Sequence, residues 1–159
     1  MKKRVHTKSC GETKFLGRKI AKDCLKTGPD RRKGRAAIFA LQGDLGSGKT
    51  TFVQGFAEGL GIKEKILSPT FVILKKFKIT KPESRSSKFK NLYHIDCYRL
   101  DGPAEILALG FEEIIHNPDN IVVIEWAEKI KTVIPEESKV IKFVFKNENV
   151  REIIIKKPK

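Results

Sequence analysis

The chain has 159 residues, of which 40% are hydrophobic, and a formal net charge of +14. The length suits a single domain over residues 1–159, and the apolar content argues against a disordered chain. We expect a soluble, unexported, cytoplasmic protein, because no apolar run reaches the roughly 18–20 residues of a membrane span and no signal-peptide core follows the basic start.

The positive charge is concentrated at the start of the chain, where residues 1–35 hold 13 Lys and Arg against three acidic residues. Such a surface favours anionic partners such as RNA, although a solvated basic face has the same composition. Residues 1–11 are interpreted as a basic N-terminal arm. The three cysteines include no CxxC pair, which argues against a disulfide framework or a zinc site and suits a reducing compartment.

Hydrophobic periodicity predicts alternating helices and strands. A helix from Glu12 to Lys26 ends at Gly28-Pro29, and a continuous apolar run then predicts a strand that is buried on both faces. The further predicted elements are a helix over 49–60 closed by Gly61, strands over 71–79, 92–96 and 121–125, a helix over 103–115 interrupted at Gly110, and a terminal β-hairpin over 140–145 and 151–155. The polar segment 80–91 is interpreted as a mobile loop.

The segment between the first buried strand and the following helix is a P-loop. It reads Gly43-Asp44-Leu45-Gly46-Ser47-Gly48-Lys49-Thr50 and fits G-x-x-x-x-G-K-[ST] at every fixed position. Glycines let successive N–H groups point inward at a phosphate, and the helix that follows directs its positive end at the same oxygens. Lys49 can bridge the β- and γ-phosphates, and the Thr50 hydroxyl can bind Mg²⁺. The fold class predicted is therefore α/β, a three-layer P-loop NTPase-like domain with a mixed sheet.

A magnesium–nucleotide site also needs a carboxylate at the carboxyl end of a neighbouring strand. Asp96 and Glu125 both qualify, and we favour Glu125 on the metal side because its strand is the more apolar. Asp96 would then position the attacking water or a metal-bound one. A hydroxyl of the Ser68-Pro69-Thr70 turn could sense a γ-phosphate. For His94 a structural role is favoured over a catalytic one.

Four blocks in series resemble the TsaE (YjeE) family of ATPases. They are residues 43–52, 68–71 (Ser-Pro-Thr-Phe), 93–99 (Tyr-His-Ile-Asp-Cys-Tyr-Arg) and 124–126 (Ile-Glu-Trp), and the likeness extends over about residues 12–156. The resemblance implies ATP bound by residues 43–51, Thr51 included, and Mg²⁺ held by Thr50 and Glu125. It also implies that Asp96 and Thr70 are needed for activity, that Trp126 lies beside the metal carboxylate, and that Arg151 lies near the nucleotide.

The same resemblance implies a biological role. The family acts with a TsaD–TsaB pair, which transfers a threonylcarbamoyl group to adenosine 37 of tRNAs that read ANN codons. TsaE itself is expected to hydrolyse ATP slowly alone and to reset the synthase between turnovers. Any contact of this chain with tRNA would be indirect or weak, through the basic arm.

Two other functions stay open at this point. A small-molecule P-loop kinase would normally use paired lid arginines, and only Arg85, Arg99 and Arg151 follow the P-loop here. A non-catalytic RNA-binding module would explain the charge, but it would leave Lys49 and the two strand-end carboxylates without a role.

Overall fold

A computed structural model describes residues 2–68, 71–80 and 88–158 of the chain. In chain order the strands are β1 (Lys2–Thr7), β2 (Ala37–Gln42), β3 (Leu74–Lys78), β4 (Asn91–Asp96), β5 (Asn120–Glu125), β6 (Lys139–Phe145) and β7 (Arg151–Lys156). The helices are α1 (Cys10–Thr27), α2 (Lys49–Gly59), α3 (Pro103–Ala108) and α4 (Phe111–Ile115), followed by a 3₁₀ helix (Ala127–Val133).

The strands form one mixed sheet in the order β1-β7-β6-β2-β5-β4-β3. The four central strands, β6, β2, β5 and β4, run parallel to one another. Antiparallel strands complete both sides, with β7 and β1 beyond β6 and with β3 beyond β4. The parallel arrangement brings the carboxyl ends of β2, β4 and β5 to the same edge of the sheet.

Alternate residues of the central strands enter two separate cores. Phe39 and Leu41 of β2 pack with α1 and α2 on one face, whereas Ile38 and Ala40 pack with α3, α4 and the 3₁₀ helix on the other. A strand that is buried on both faces must be apolar at every position, which explains the continuous apolar runs of β2 and β5. The predicted three-layer α/β fold is confirmed.

Helix α1 begins and ends as its sequence dictates. The Ser9 hydroxyl accepts a hydrogen bond from the Glu12 N–H at 3.1 Å, and the Glu12 carboxylate accepts one from the Lys8 N–H at 2.6 Å. Gly28, at φ 69°, closes the helix by donating its N–H to the Cys24 carbonyl. Among the described residues, none of the helices combines the length and the apolar character that crossing a membrane requires.

Strand β1 is the main element that the sequence did not predict. The segment interpreted only as a basic arm pairs antiparallel with β7 along Lys2–Thr7 and continues into α1. Lys2, Lys3 and Arg4 are exposed along this edge of the sheet, where charged side chains discourage pairing with another chain.

The segment before β4 also differs from its prediction. The strand predicted over 71–79 covers only Leu74–Lys78. Ile73, immediately before it, adopts a left-handed conformation with φ 63°, so the extended backbone of the strand begins only after this residue. The predicted mobile loop falls mostly on residues 81–87, which lie outside the described residues. At its described end, the Ile79 N–H donates to the Lys90 carbonyl at 2.8 Å.

Candidate functional site

A cavity of about 850 Å³ lies at the carboxyl edge of β2, β4 and β5. The predicted P-loop, Asp96, Glu125, Trp126 and Arg151 all contribute to its wall. The topology explains this gathering, since β2 leads into the loop and the neighbouring strands β4 and β5 end in the two carboxylates. The link between β1 and α1 and the first turn of α1 line the same cavity with Lys8, Ser9, Cys10 and Thr13.

The loop before α2 has the backbone that phosphate binding requires. Gly43, Gly46 and Gly48 have φ angles of 143°, 74° and 99°, which L side chains rarely adopt. A Cβ on Gly43 would also lie 2.5 Å from the Phe143 carbonyl oxygen, so this position has no room for a side chain. The loop therefore curls tightly and delivers the chain into the first turn of α2 at Lys49.

Lys49 occupies the interior of this loop. Its Nζ donates to the carbonyl oxygens of Gly43 and Asp44 at 2.5 and 2.9 Å, and it lies 4.2 Å from the centroid of the Trp126 ring. Burial lowers the pKa of Lys49, and the nearby Glu125 carboxylate opposes that effect. The Ser47 hydroxyl oxygen, at 3.4 Å, accepts from the same ammonium group. A buried cation whose partners among the described residues are neutral oxygens and a ring face is well suited to receive an anion.

Thr50 and Glu125 meet across the cavity wall. The Thr50 Oγ1 donates to the Glu125 carboxylate, with Oε1 at 3.0 Å and Oε2 at 3.1 Å. Oε1 also accepts a hydrogen bond from His94 Nε2 at 3.1 Å. Both Glu125 and His94 are buried, so the first turn of α2, β5 and β4 are joined at one carboxylate.

Asp96 is held beside this group at the end of β4. Its Oδ2 accepts from the Ser68 hydroxyl at 2.7 Å, and its Oδ1 accepts from the Tyr98 N–H at 2.9 Å. Asp96 and Glu125 are partners in the β4–β5 register, so the two carboxylates are neighbours on adjacent strands. Both are buried, with relative exposures of 3% and 2%.

The remaining predicted residues are distributed around the cavity. Trp126 has a left-handed backbone (φ 56°, ψ 41°), and its ring packs against Tyr98 at 5.0 Å between centroids. Arg151 begins β7 and donates to the Asn147 carbonyl at 2.8 Å. Leu45 is exposed on the outer side of the loop, with a relative exposure of 76%. Thr51 follows Thr50 in α2 and also lines the cavity. Thr70 lies outside the described residues, so its role stays a prediction.

The amino-acid sequence matches a described protein family. A family profile for "Threonylcarbamoyl adenosine biosynthesis protein TsaE" matches residues 7–153. The chain belongs to the TsaE family. This family takes part in tRNA threonylcarbamoyladenosine biosynthesis, and its P-loop-like fold indicates a nucleotide-binding protein.

Individual TsaE proteins are similar over most of the chain. The chain is 35% identical to TsaE of Haemophilus influenzae over 121 residues, which cover 76% of this chain and 68% of the relative. It is 36% identical to TsaE of Treponema pallidum over 119 residues, which cover 75% of this chain and 81% of the relative. It is 41% identical to TsaE of Bacillus subtilis over 100 residues, but these span only 56% of that relative's length and 63% of this chain.

A solved structure has the same fold. The crystal structure of Bacillus subtilis YdiB superposes with a TM-score of 0.74 at 28% identity, covering 100% of this chain and 87% of that one. The similarity therefore includes the strands at both sides of the sheet as well as the P-loop region.

Two residues of this TsaE site were not recognised in the sequence as site residues. Ser68 bonds Asp96, and His94 bonds Glu125. His94 had one available signal, because alternate residues of a strand share a face and His94 precedes Asp96 by two positions. Ser68 belongs to the Ser-Pro-Thr-Phe block that carries the family resemblance, but no local pattern indicates its contact with Asp96, since it lies in a loop whose path depends on the tertiary structure.

Proposed function

We propose that this chain binds ATP together with Mg²⁺ in the cavity and hydrolyses the nucleotide as its part in tRNA threonylcarbamoyladenosine biosynthesis. The observation that carries this proposal is the contact between Thr50 and Glu125, at 3.0 and 3.1 Å, beside the P-loop lysine. A hydroxyl on the first turn of a P-loop helix and a strand-end carboxylate are the protein groups that such enzymes use for magnesium.

The residues present fit Mg²⁺. Thr50 and Glu125 offer oxygen atoms, which this cation prefers, and protein sites for it usually supply one or two carboxylates while substrate phosphates and water complete the set. When bound, Mg²⁺ would neutralise negative charge that develops on the phosphates.

The chain's own groups would supply positioning and electrostatics. The N–H groups of the P-loop would bind phosphate oxygens, and the Lys49 ammonium would exchange its two carbonyl contacts for phosphate oxygens of opposite charge. Asp96, fixed by Ser68 and the Tyr98 N–H, would orient the water that attacks the γ-phosphate. Arg151 lines the same cavity and would approach the nucleotide from β7.

Partners in this role would be the TsaD–TsaB pair. Leu67, which precedes Ser68, and Phe71 and Val72, which follow it in the sequence, are exposed by 63%, 85% and 67%. Large apolar side chains exposed together beside a site are typical of a surface that another protein covers. A partner bound there would lie next to the residues that hold Asp96, which supports control of hydrolysis by the partner.

Contact with tRNA is proposed only as a weak, electrostatic one. Lys2 and Lys3 are exposed on β1, whereas Arg4 forms an ion pair with Glu152 at 3.2 Å. Binding through such side chains should weaken steeply as salt is raised. This binding of tRNA should also persist in a variant that no longer binds nucleotide.

The test is ATP turnover by the purified protein, alone and with TsaD–TsaB, with Lys49→Ala as the inactive variant. We expect slow turnover alone, stimulation by the partners, and a loss of about 10²–10³-fold in the variant because one essential charge is removed. Lys63→Ala, an exposed lysine away from the loop, is the matched control. Equal turnover in Lys49→Ala and the unmodified protein would refute the proposal, and label transferred from ATP to a small molecule would indicate a kinase instead.

A further inference from the structure

His94 is a fully buried histidine that touches the carboxylate at the centre of the site. Its relative exposure is 0%, and its Nε2 lies 3.1 Å from Glu125 Oε1. It lies inside the sheet, with Lys75 opposite on β3 and Val123 opposite on β5. The imidazole therefore reaches Glu125 from the neighbouring strand, whereas Thr50 reaches it from the helix.

The direction of this hydrogen bond follows from the chemistry of the partners. Carboxylate oxygens only accept, so Nε2 carries the hydrogen and donates it to Glu125. The other ring nitrogen, Nδ1, is buried and has no hydrogen-bond partner among the described residues. Buried polar atoms are usually paired. The hydrogen bond to Glu125 is therefore the contact that sets the orientation of the imidazole ring.

We propose that His94 is a positioning residue, which fixes the rotation of the Glu125 carboxylate so that it is ready for the metal. This inference rests on the proposed function, since it assigns His94 to the magnesium side of that site. The bond from Nε2 holds Oε1 from the β4 side, and the Thr50 Oγ1 lies between the two oxygens, at 3.0 Å from Oε1 and 3.1 Å from Oε2. Groups that hydrogen-bond a metal ligand orient it, and their loss typically weakens metal binding by about 10–100-fold.

Three substitutions of His94 separate this role from simple packing. His94→Gln can place an amide N–H near the position of Nε2, whereas His94→Asn is too short to reach it. His94→Leu removes the donor and keeps an apolar side chain of similar length. Asn120→Ala is the matched control, because Asn120 is also a buried polar residue of this sheet but lies at the opposite end of β5.

The measurement is the Mg²⁺ concentration that gives half-maximal binding of a non-hydrolysable ATP analogue. The chain's single tryptophan, Trp126, lines the cavity and reports binding by its fluorescence. We expect the midpoint to rise at least about tenfold in His94→Leu and His94→Asn and to stay within about threefold in His94→Gln. Binding of the analogue without Mg²⁺ should change by no more than about twofold in all three, because the P-loop is untouched.

Other outcomes would overturn the inference. Equal midpoints in His94→Asn and His94→Gln would do so, as would a rise of the same size in Asn120→Ala. If His94→Leu does not fold, the Asn and Gln variants still decide between the two roles. Failure of the proposed function itself has a different signature, since the unmodified protein would then show no Mg²⁺-dependent binding and Lys49→Ala would bind the analogue equally well.

Discussion

The two ends of β4 and β5 carry similar polar residues that do different things. At the amino end, the Asn91 amide donates to the Asn120 side chain at 3.0 Å, and the Asn120 amide donates to the Ile114 carbonyl at 3.0 Å. At the carboxyl end, Asp96 and Glu125 are as buried as Asn120, but they border a cavity.

The backbone differs between the two ends as well. The amino end is reached by ordinary turns, with the Asn120 N–H bonded to the Asn117 carbonyl. The carboxyl end of β5 continues into Trp126, a non-glycine residue at φ 56°, and left-handed backbone of this kind costs about 1–3 kcal/mol. One end of the strands therefore stabilises the fold, whereas the other keeps strained backbone and polar side chains that a ligand can use.

The largest effect that would test this division is expected for Glu125→Gln. The substitution keeps the shape of the side chain but removes its charge, so turnover should fall by about 10²-fold while nucleotide affinity in the absence of Mg²⁺ changes little. Turnover and binding are measured side by side, with Glu128→Gln, an exposed carboxylate three positions later, as the control. Unchanged turnover in Glu125→Gln would remove this carboxylate from the chemistry.

At the other end of β5, Asn120→Ala should affect stability and not function. It leaves the Asn91 amide and the Ile114 carbonyl without their partner, and losing a buried hydrogen-bond partner costs about 1–3 kcal/mol. Chemical denaturation measures this loss, and a nucleotide titration should give the affinity of the unmodified protein. A loss of affinity that matches the loss of stability would mean that the two ends are coupled.

The reactivity of the cysteine thiols tests the cavity through a smaller expected effect. Cys10 is exposed and lines it, whereas burial raises the pKa of Cys24 to about 11 and that of Cys97 to about 12. At pH 8 one thiol per native chain should react quickly with an alkylating reagent. Nucleotide at ten times its dissociation constant should slow this reaction about tenfold. Cys10→Ser should abolish the fast phase of alkylation. If the alkylation rate of Cys10 does not change when nucleotide is added, nucleotide does not bind in this cavity.

The smallest expected effect concerns Asp119 at the amino end. Hydrogen bonds from Lys90 and Arg31, at 2.7 and 2.6 Å, hold the pKa of Asp119 below its usual value. Its contribution to stability is therefore present above its unfolded pKa of about 3.9 and is lost as the pH falls through the lower folded value.

Asp119→Asn should accordingly lower stability at neutral pH by at most about 1 kcal/mol. The difference from the unmodified protein should shrink as the pH is lowered below about 4. Thermal unfolding between neutral and acid pH measures it, with Asp101→Asn as an exposed control. A difference that persists undiminished at acid pH would contradict this account.

The central part of the fold could be predicted from sequence because each element there carries a local signal. Gly43 to Thr50 have fixed spacing, and β2 and β5 are apolar at nearly every position because both of their faces are covered. Strand β1 carries no such signal. Its local sequence, with Lys2, Lys3 and Arg4, is typical of a polar segment, and it forms a strand only through pairing with β7.

The site was predictable where chemistry and strand ends coincide, and not where side chains meet through tertiary structure. The P-loop motif and the strand ends predicted a common site, and the cavity is lined by the residues concerned, Lys49, Thr50, Asp96 and Glu125. The contact of His94 with Glu125 depends on the pairing of β4 with β5, and the contact of Ser68 with Asp96 depends on the path of a loop. Neither the pairing nor the path can be deduced from a single sequence.

The pairing of β1 with β7 has a consequence for the order in which the molecule becomes functional. Arg4 and Glu152 bond across this pair although they are 148 positions apart, and contacts of such long range form late and slowly. The cavity wall likewise combines Cys10 with Arg151. During synthesis from the N-terminus, the complete cavity must therefore wait until β7 has left the ribosome.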